Sequence, residues 1–332
     1  MKFINLLVLV ALTLGGLHLH AQEFGVEYTS ELQTNFRAAN FVNLLRLDAE
    51  IPFSNSFAFE ASTISIVKSR NDRLVDDLQI FSNIEEVNLP FALAVCGAKW
   101  LFNDRHSLFL GVRNMNEDYF SSPVSSFFTN SSCGIYPTIS ANYPIANYPV
   151  ASVGIHYSYV EGPVKVQASL YNGSGHNRLS GSENVFRFCP SVDGLFALAQ
   201  IQYDHCGSSY FLGNSIYCNK STSLTPWFYA EQKLSPALCL LVCLSHAFSS
   251  AAVCNDFAGL GLYCHLSKCA LGIFSDYANF DNANEFATEL SFKFSPSQQL
   301  FFQPILHLIS SSSPSPSVRL DLVASLRMGL SL

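Results

Sequence analysis

The sequence predicts an all-β protein: a transmembrane antiparallel β-barrel of about 16 strands, with the hypothesis that one long loop folds into its lumen. The last fourteen residues carry the strongest signal. Apolar residues alternate with polar or small ones over positions 319–332, and only Val323 interrupts the polar set. This alternation puts the two sets on opposite faces of a strand. At ~3.3 Å per residue the strand is roughly 46 Å long, which suffices to cross a tilted path through a membrane core.

The first 21 residues predict a secretory signal peptide. Lys2 gives a positive start, residues 3–17 are mostly apolar, and Ala21 is a small residue at the expected cleavage point. The alternative, an N-terminal membrane anchor, is disfavoured because the apolar run is short for a spanning helix. We therefore expect residues 1–21 to be removed and residues 22–332 to form one barrel domain.

Composition also favours many strands in one domain. Charged residues make up 13% of the chain and aromatic residues another 13%, and Gly, Asn and Ser recur at short intervals. Without the signal peptide, 17 basic residues stand against 25 acidic ones, a formal charge of −8. This balance and the absence of a basic run argue against a nucleic-acid partner. Residues 310–317, SSSSPSPS, predict a loop before the final strand.

Ten cysteines allow two interpretations. An even number in an exported chain is compatible with a disulfide framework, and this alternative stays open. Six of them, however, fall in apolar or alternating segments, where cysteine acts as a small hydrophobe. Cys239 and Cys243 would share a strand face about 13 Å apart, too far to hold one ion. No metal or other cofactor is expected.

Alternation and turn residues predict strands along the whole mature chain. Two hairpins are clear, one across Asn103 and Asp104 and one across residues 161–163. The segments between 115 and 148 and between 171 and 190 are long and weakly periodic, as expected for outer loops. The predicted strands cover residues 24–34, 45–51, 56–68, 77–84, 91–102, 106–114, 150–160, 164–171, 196–204, 209–216, 227–234, 238–245, 257–265, 269–277, 284–294, 300–308 and 319–332.

Four stretches resemble the OprB-type carbohydrate-selective porins of bacterial outer membranes. They are LQIFSNIEE at 78–86, SLFLGVRNMNEDYFSSPVSSFFTNSSCGIYP at 107–137, VQASLYNG at 166–173 and WFYAEQKL at 227–234. The resemblance implies a sixteen-stranded channel for passive diffusion of small sugars, in the outer membrane of a Gram-negative-type bacterium, surrounded by lipid and lipopolysaccharide. The chain departs from the family in ending in Leu332, where many barrels end in Phe, and in being shorter. A general, unselective porin and a homotrimeric assembly stay open.

A sugar pore needs hydrogen-bonding groups at its narrowest point, and binding there must be weak enough for transit. Arg46, Asp48 and Glu50 alternate with apolar neighbours and are predicted to face the lumen, because an Arg facing mid-membrane lipid would cost about 2–4 kcal/mol. A second group follows the strand that ends near Arg113. The full set of candidates for the constriction is Arg46, Asp48, Glu50, Arg113, Asn114, Asn116, Glu117, Asp118 and Tyr119.

Each candidate also has a structural interpretation, since inward charges can form ladders that brace a barrel wall. The loop aromatics Phe127, Phe128, Tyr136 and Tyr143 are predicted to anchor the loop. Enzyme activity is not expected, because no His or Ser of the chain lies in a recognisable catalytic motif. A structural or adhesin barrel with a plugged lumen is a further alternative, because segments 238–244 and 257–263 are apolar on both faces.

Overall fold

The computed structural model describes residues 23–85, 87–219, 221–312 and 318–332, so the predicted signal peptide lies outside the described residues. Within these ranges, sixteen antiparallel strands close into one barrel in which each strand pairs with its neighbours in sequence and β1 pairs with β16. The predicted fold class is confirmed. The strands are β1 Glu23–Thr34, β2 Ala39–Ser54, β3 Phe57–Lys68, β4 Leu89–Asn103, β5 His106–Arg113, β6 Ser152–Glu161, β7 Val164–Asn172, β8 Leu195–His205, β9 Ser208–Cys218, β10 Thr222–Lys233, β11 Leu238–His246, β12 Cys254–Leu266, β13 Cys269–Phe280, β14 Ala283–Phe294, β15 Leu300–Ser312 and β16 Val318–Ser331.

The two ends of the barrel differ. Glu23 and Leu332 lie at one end, together with tight connections such as those at 104–105 and 162–163. We call this the turn end. The three longest connections lie at the opposite, loop end, and we call them loop 69–88, loop 114–151 and loop 173–194. Short helices α1 Pro137–Ser140 and α2 Pro190–Asp193 lie in the last two. The predicted asymmetry of the connections is confirmed.

The outer face of the barrel is apolar, as the last strand illustrates. On β16, Leu322 and Leu326 are 41% and 50% exposed, whereas the alternate residues Val323 and Arg327 are 0% and 7% exposed. The buried set faces the interior because every second residue of a strand points to the same side. An exposed belt of this kind is stable only in apolar surroundings. Among the described residues, no helix has the length and apolar character needed to span a membrane.

One predicted strand, at residues 77–84, is wrong. These residues belong to loop 69–88, whose backbone is bonded to a side chain of the wall and not to a neighbouring strand. The Glu285 carboxylate accepts hydrogen bonds from the N–H groups of Leu78 and Gln79, both at 2.8 Å. Leu78 is 40% exposed and Gln79 only 4%. Covered and exposed residues therefore alternate in this segment because one side of the loop lies against the inner wall.

Loop 114–151 folds into the lumen, which confirms that hypothesis. Its aromatic side chains pack on the inner faces of β9–β13, so the prediction that they anchor the loop is also confirmed. The ring pairs and their centroid distances are Tyr136–Phe257 at 4.8 Å, Phe127–Tyr263 at 4.9 Å, Phe120–Trp227 at 4.9 Å, Phe128–Phe274 at 5.3 Å and Tyr143–Tyr217 at 4.8 Å. The two apolar faces of segments 238–244 and 257–263 follow from this packing, because one face is the exposed outer surface of the barrel and the other contacts the loop.

All ten cysteines are unpaired in the structure, and their exposure predicts their reactivity. Cys206 and Cys218 are exposed, whereas burial raises the pKa of the Cys133 thiol well above its usual range. Thiolates react much faster than thiols. We expect a water-soluble maleimide to label Cys206 and Cys218 in the folded protein, and Cys133 only after unfolding. Labelling sites are read by peptide mass spectrometry. Equal labelling of Cys133 and Cys206 before unfolding would contradict the docked position of loop 114–151.

Candidate functional site

Two parts of the barrel interior matter for the candidate site. Loop 114–151 packs its aromatic side chains against the inner faces of β9–β13. The inner surface of β2–β7 carries charged side chains and borders a cavity of about 380 Å³ near the turn end, which we call the turn-end cavity. The charged residues of its lining are Glu23, Arg46, Asp48, Glu50, Glu60, Arg113 and Glu117.

The inward orientation predicted for Arg46, Asp48 and Glu50 is confirmed by this lining. Arg46 lies between two carboxylates. Its Nη1 and Nη2 atoms donate to the two Glu117 oxygens at 2.8 and 2.9 Å, and its Nε donates to Asp48 at 2.9 Å. The guanidinium fork matches the carboxylate geometry, which makes such a pair both strong and directional. Glu117 belongs to loop 114–151, so the Arg46 pair joins the loop to the wall.

Arg113 forms the second junction between wall and loop. Its Nε and Nη2 atoms donate to the Asp118 carboxylate at 2.6 and 2.8 Å, and its Nη1 donates to Glu60 at 2.9 Å. The guanidinium also lies over the Phe109 ring, 4.6 Å from its centroid. Lys99 extends the network by donating to Glu60 at 2.7 Å. Arg113 is thus held on three sides within a fixed geometry.

Gly97 leaves space for the Phe109 ring beneath this network. It lies on the inner face of β4, where it is paired with Gly111 of β5. A Cβ atom at Gly97 would lie 2.5 Å from the Phe109 ring and 2.9 Å from the Gly111 Cα, closer than side-chain carbons can approach. The two glycines therefore let the Phe109 ring lie flat on the wall, where it supports the Arg113 guanidinium. Glycine in a strand often marks such a close approach.

Two of the predicted constriction residues lie elsewhere. Tyr119 is 1% exposed, and its hydroxyl is bonded to Ser169 at 2.9 Å, so its ring packs on the wall and does not face a cavity. Asn114 is 3% exposed and caps a turn by accepting a hydrogen bond from the Asn116 N–H at 2.9 Å. Both residues hold the loop in place, because the chain turns sharply inward directly after β5.

Asn116 and Glu117 separate two cavities. Glu117 borders the turn-end cavity, whereas Asn116 borders a second cavity of about 440 Å³ between loop 69–88 and loop 114–151. We call this second space the loop-end cavity. The neighbouring residue Asp118 borders a smaller space of about 180 Å³ beside Arg113. Three of the loop residues predicted from the sequence, Asn116, Glu117 and Asp118, thus each border a different cavity.

Sequence reasoning missed Glu60, Lys99 and His156, which complete the charged network. Glu60 and Lys99 lie on the inner faces of β3 and β4, and the His156 Nε2 lies 3.4 Å from Asp118. A signal for Glu60 was available, since a carboxylate in the middle of a membrane strand is expected to point inward. His156 carried no such signal, because its neighbourhood depends on how the loop folds back.

The comparisons with known proteins agree with this architecture. No protein-family model matches the chain, and no curated protein does. Among solved structures, OprB of Pseudomonas putida at high pH is similar over 94% of each chain, with a TM-score of 0.78 and 17% identity. The same protein at low pH gives a TM-score of 0.60 with 15% identity over 94% of this chain and 93% of that one. A mutant porin of Rhodopseudomonas blastica gives 0.57 with 11% identity over 94% and 100%.

The chain has a porin fold. The number of strands sets the width of the lumen. A barrel of sixteen strands encloses a water-filled channel unless loops fill it. Here two loops enter, and buried carboxylates of the wall bind their backbones. Glu231 accepts from the N–H groups of Val124 and Ser125 at 2.9 and 3.1 Å, and Glu289 accepts from those of Thr129 and Asn130 at 2.9 and 2.8 Å. These contacts fix the position of loop 114–151 against the wall.

Loop 69–88 contains a carboxyl group, that of Asp77, whose pKa is raised. Asp77 is 3% exposed, and burial, with a smaller contribution from the Glu285 charge, raises its pKa to about 7 although Arg73 acts in the opposite direction. The docked loop therefore binds a proton more tightly than the undocked loop, whose Asp has a pKa near 3.9. Docking is thus most favourable at low pH and weakens as the pH rises through about 7.

We expect the amides of loop 69–88 to exchange hydrogen faster at pH 8.5 than at pH 5.5, after correction for intrinsic rates. Asp77→Asn should remove most of this pH dependence, because the amide side chain does not titrate. Asp76→Asn is the matched control, since the side chain of Asp76 is 90% exposed, and it should behave as the wild type does. An unchanged pH dependence in Asp77→Asn would show that another group controls the loop.

Proposed function

We propose that the protein is an outer-membrane porin through which small sugars diffuse passively. One observation carries the proposal: a closed barrel with an apolar exterior holds two polar cavities, one bordered by Glu117 and the other by the adjacent residue Asn116. The four sequence stretches that resemble OprB-type porins support carbohydrates as the solutes. Structural similarity to OprB of Pseudomonas putida supports the same choice.

The chemistry of the constriction suits neutral solutes. Arg46 and Arg113 already hold carboxylates at 2.6–2.9 Å, so their hydrogen bonds are largely satisfied within the protein. A passing sugar can accept or donate a hydrogen bond at the edge of these pairs but does not meet an unpaired charge that would hold it. Weak, repeated contacts of this kind allow transit. We assign the protein no catalytic role.

The proposed surroundings follow from the surface. The apolar belt would contact membrane lipid, and loops at the loop end would contact lipopolysaccharide if that end faces outward. The predicted removal of residues 1–21 on export, and the outer membrane of a Gram-negative-type bacterium as destination, belong to the same proposal. Monomer and homotrimer are both compatible with the barrel, and chemical crosslinking in mild detergent distinguishes them.

A barrel with a closed lumen is the second candidate function. It is favoured by the depth to which loop 114–151 fills one half of the interior, with Tyr136, Ile139 and Met115 at 0–1% exposure. Such a barrel would serve as a structural or adhesive element of the membrane. A general porin without selectivity is a third interpretation of the same fold, and it differs only in how the constriction discriminates between solutes.

Liposome swelling with refolded protein tests the proposal. Glucose, a disaccharide and an amino acid similar in size to glucose are compared. Faster swelling with glucose than with the amino acid is expected for a sugar porin. Rates that depend on solute size alone would indicate a general porin. A correctly folded barrel that gives no swelling with any solute would overturn the channel function and favour the closed barrel.

A further inference from the structure

We infer that the loop-end cavity is a binding site for one small neutral polyhydroxylated molecule, of the monosaccharide class. The inference rests on the proposed function and adds to it a site distinct from the charged constriction. The cavity has a volume of about 440 Å³ and is enclosed by loop 69–88 and loop 114–151. This volume lies within the range of roughly 300–1,000 Å³ that is usual for small-molecule sites.

The lining of the loop-end cavity is almost neutral, in contrast to the turn-end cavity with its five carboxylates and two guanidinium groups. Its one charged residue, Glu85, lies 3.8 Å from the Lys68 ammonium. Neutral amides and hydroxyls hydrogen-bond a sugar hydroxyl without the cost of removing water from an unpaired charge. The amide and hydroxyl residues of the lining are Gln79, Asn83, Asn116, Ser131, Ser132, Ser140, Asn147 and Tyr148.

Several of these groups are available to a ligand. The backbones of Asn83, Ser131 and Asn147 are fixed, because their N–H groups donate to backbone carbonyls at 2.7, 3.1 and 2.8 Å. Within the described ranges, the side chains of these three residues make no hydrogen bond to the protein. They therefore present donors and acceptors from fixed positions around the cavity, which is the arrangement that a polyhydroxylated ligand requires.

Direct bonds between the two loops hold the cavity in shape. The Ser131 N–H donates to the Ile80 carbonyl at 3.1 Å, and the Asn83 N–H donates to the Thr129 carbonyl at 2.7 Å. Ile80 has a φ of 62°, a left-handed conformation that a β-branched residue rarely adopts. Strain of this kind persists only where surrounding contacts enforce it, and it concentrates at ligand sites. The cavity is thus formed before a ligand arrives, which lowers the cost of binding.

The test measures how glucose blocks the ion current through single channels in a planar bilayer. The variant Asn83→Ala/Asn147→Ala removes two amides that make no hydrogen bond within the described part of the chain, so folding and ion conductance should be unchanged. Each neutral hydrogen bond accounts for roughly two- to ten-fold in affinity. With two such bonds removed, we expect the half-blocking glucose concentration to rise about four-fold or more. Asn282→Ala, at an exposed turn of the loop end, is the matched control and should leave it unchanged.

Each outcome decides the inference. A rise of about four-fold or more in the double variant with no change in Asn282→Ala supports it. An unchanged half-blocking concentration in the double variant overturns it, and so does a wild-type channel that passes glucose without any block; in both cases the proposed porin function stands. A wild type without current would instead contradict the proposed function. Glucose binding would then be compared by saturation-transfer NMR, where equal signals from wild type and double variant overturn the site.

Discussion

Removing the carboxylates that bind loop 114–151 is expected to widen the channel. In Glu231→Ala/Glu289→Ala, single-channel conductance should rise roughly two-fold or more, because sixteen strands enclose a water-filled lumen wherever loops do not fill it. Liposomes containing the variant should also admit a trisaccharide that the wild type excludes. Planar-bilayer recording and liposome swelling measure the two effects.

The physical reason lies in the backbone groups that would lose their partners. Glu289 is fully buried and accepts from two successive loop N–H groups, and Glu231 does the same at an earlier point in the loop. Hydrogen bonds to a charged acceptor contribute about 1.5–3 kcal/mol each, so the two at Glu289 contribute about 3–6 kcal/mol to docking. The aromatic packing of the loop and its ion pairs with Arg46 and Arg113 then have to offset the entropy gained on release.

A double variant with conservative substitutions distinguishes release of the loop from a mere loss of negative charge. Glu231→Gln/Glu289→Gln keeps an acceptor oxygen at each position, and it should give a conductance close to that of the wild type. If the Ala variant is less stable to heat and yet conducts as the wild type does, the aromatic contacts and the Arg46 and Arg113 ion pairs hold the loop without Glu231 and Glu289. That outcome would contradict a role for Glu231 and Glu289 in holding the loop against the wall.

Arg113→Ala is expected to destabilise the barrel by about 3–5 kcal/mol, the usual effect of removing one partner from a buried ion pair. The side chains of Arg113 and Asp118 are 14% and 7% exposed, so the substitution would leave a largely buried carboxylate without its partner. Glu60, which also accepts from Arg113, keeps its bond to Lys99. Urea unfolding in detergent, followed by tryptophan fluorescence, gives the change in free energy of unfolding.

Arg46→Ala serves as the comparison because the Arg46 guanidinium makes a similar number of hydrogen bonds to carboxylates but is more exposed to solvent. The Arg46, Asp48 and Glu117 side chains are 26%, 35% and 18% exposed, so water reaches the two carboxylates that remain more readily than it reaches Asp118, which is 7% exposed. We expect a loss of about 1 kcal/mol, near the upper end for exposed pairs. Equal losses in the two variants would mean that burial does not set the strength of these pairs. Both variants should also alter the ratio of glucose to amino-acid swelling rates.

The outward half of the fold could be predicted from the sequence. Alternation on β16 and on β2 identifies which residues face lipid, because a barrel strand has water or protein on one side and lipid on the other. The same logic predicted the inward orientation of Arg46, Asp48 and Glu50. It failed at residues 77–84, because a loop pressed on a wall also alternates between covered and exposed residues.

The partners within the site could not be predicted. Arg113 and Glu60 are 53 positions apart in sequence and meet only because β3, β4 and β5 pair in one register. Asn114 and Tyr119 lie beside Asn116 and Glu117 in sequence, yet Asn114 caps a turn of the loop and Tyr119 contacts the wall at Ser169. A turn of the chain changes the direction of each successive side chain, and composition alone does not report this.

The sequence by itself determined a sixteen-stranded barrel class, the lipid-facing surface and the strands that carry inward charge, since each depends on a local period of two. Only the tertiary structure decided which loops fill the lumen, which charges pair, and where the polar space remains. Those features depend on contacts between residues far apart in the chain. Their energies are set by burial and geometry, neither of which a local pattern contains.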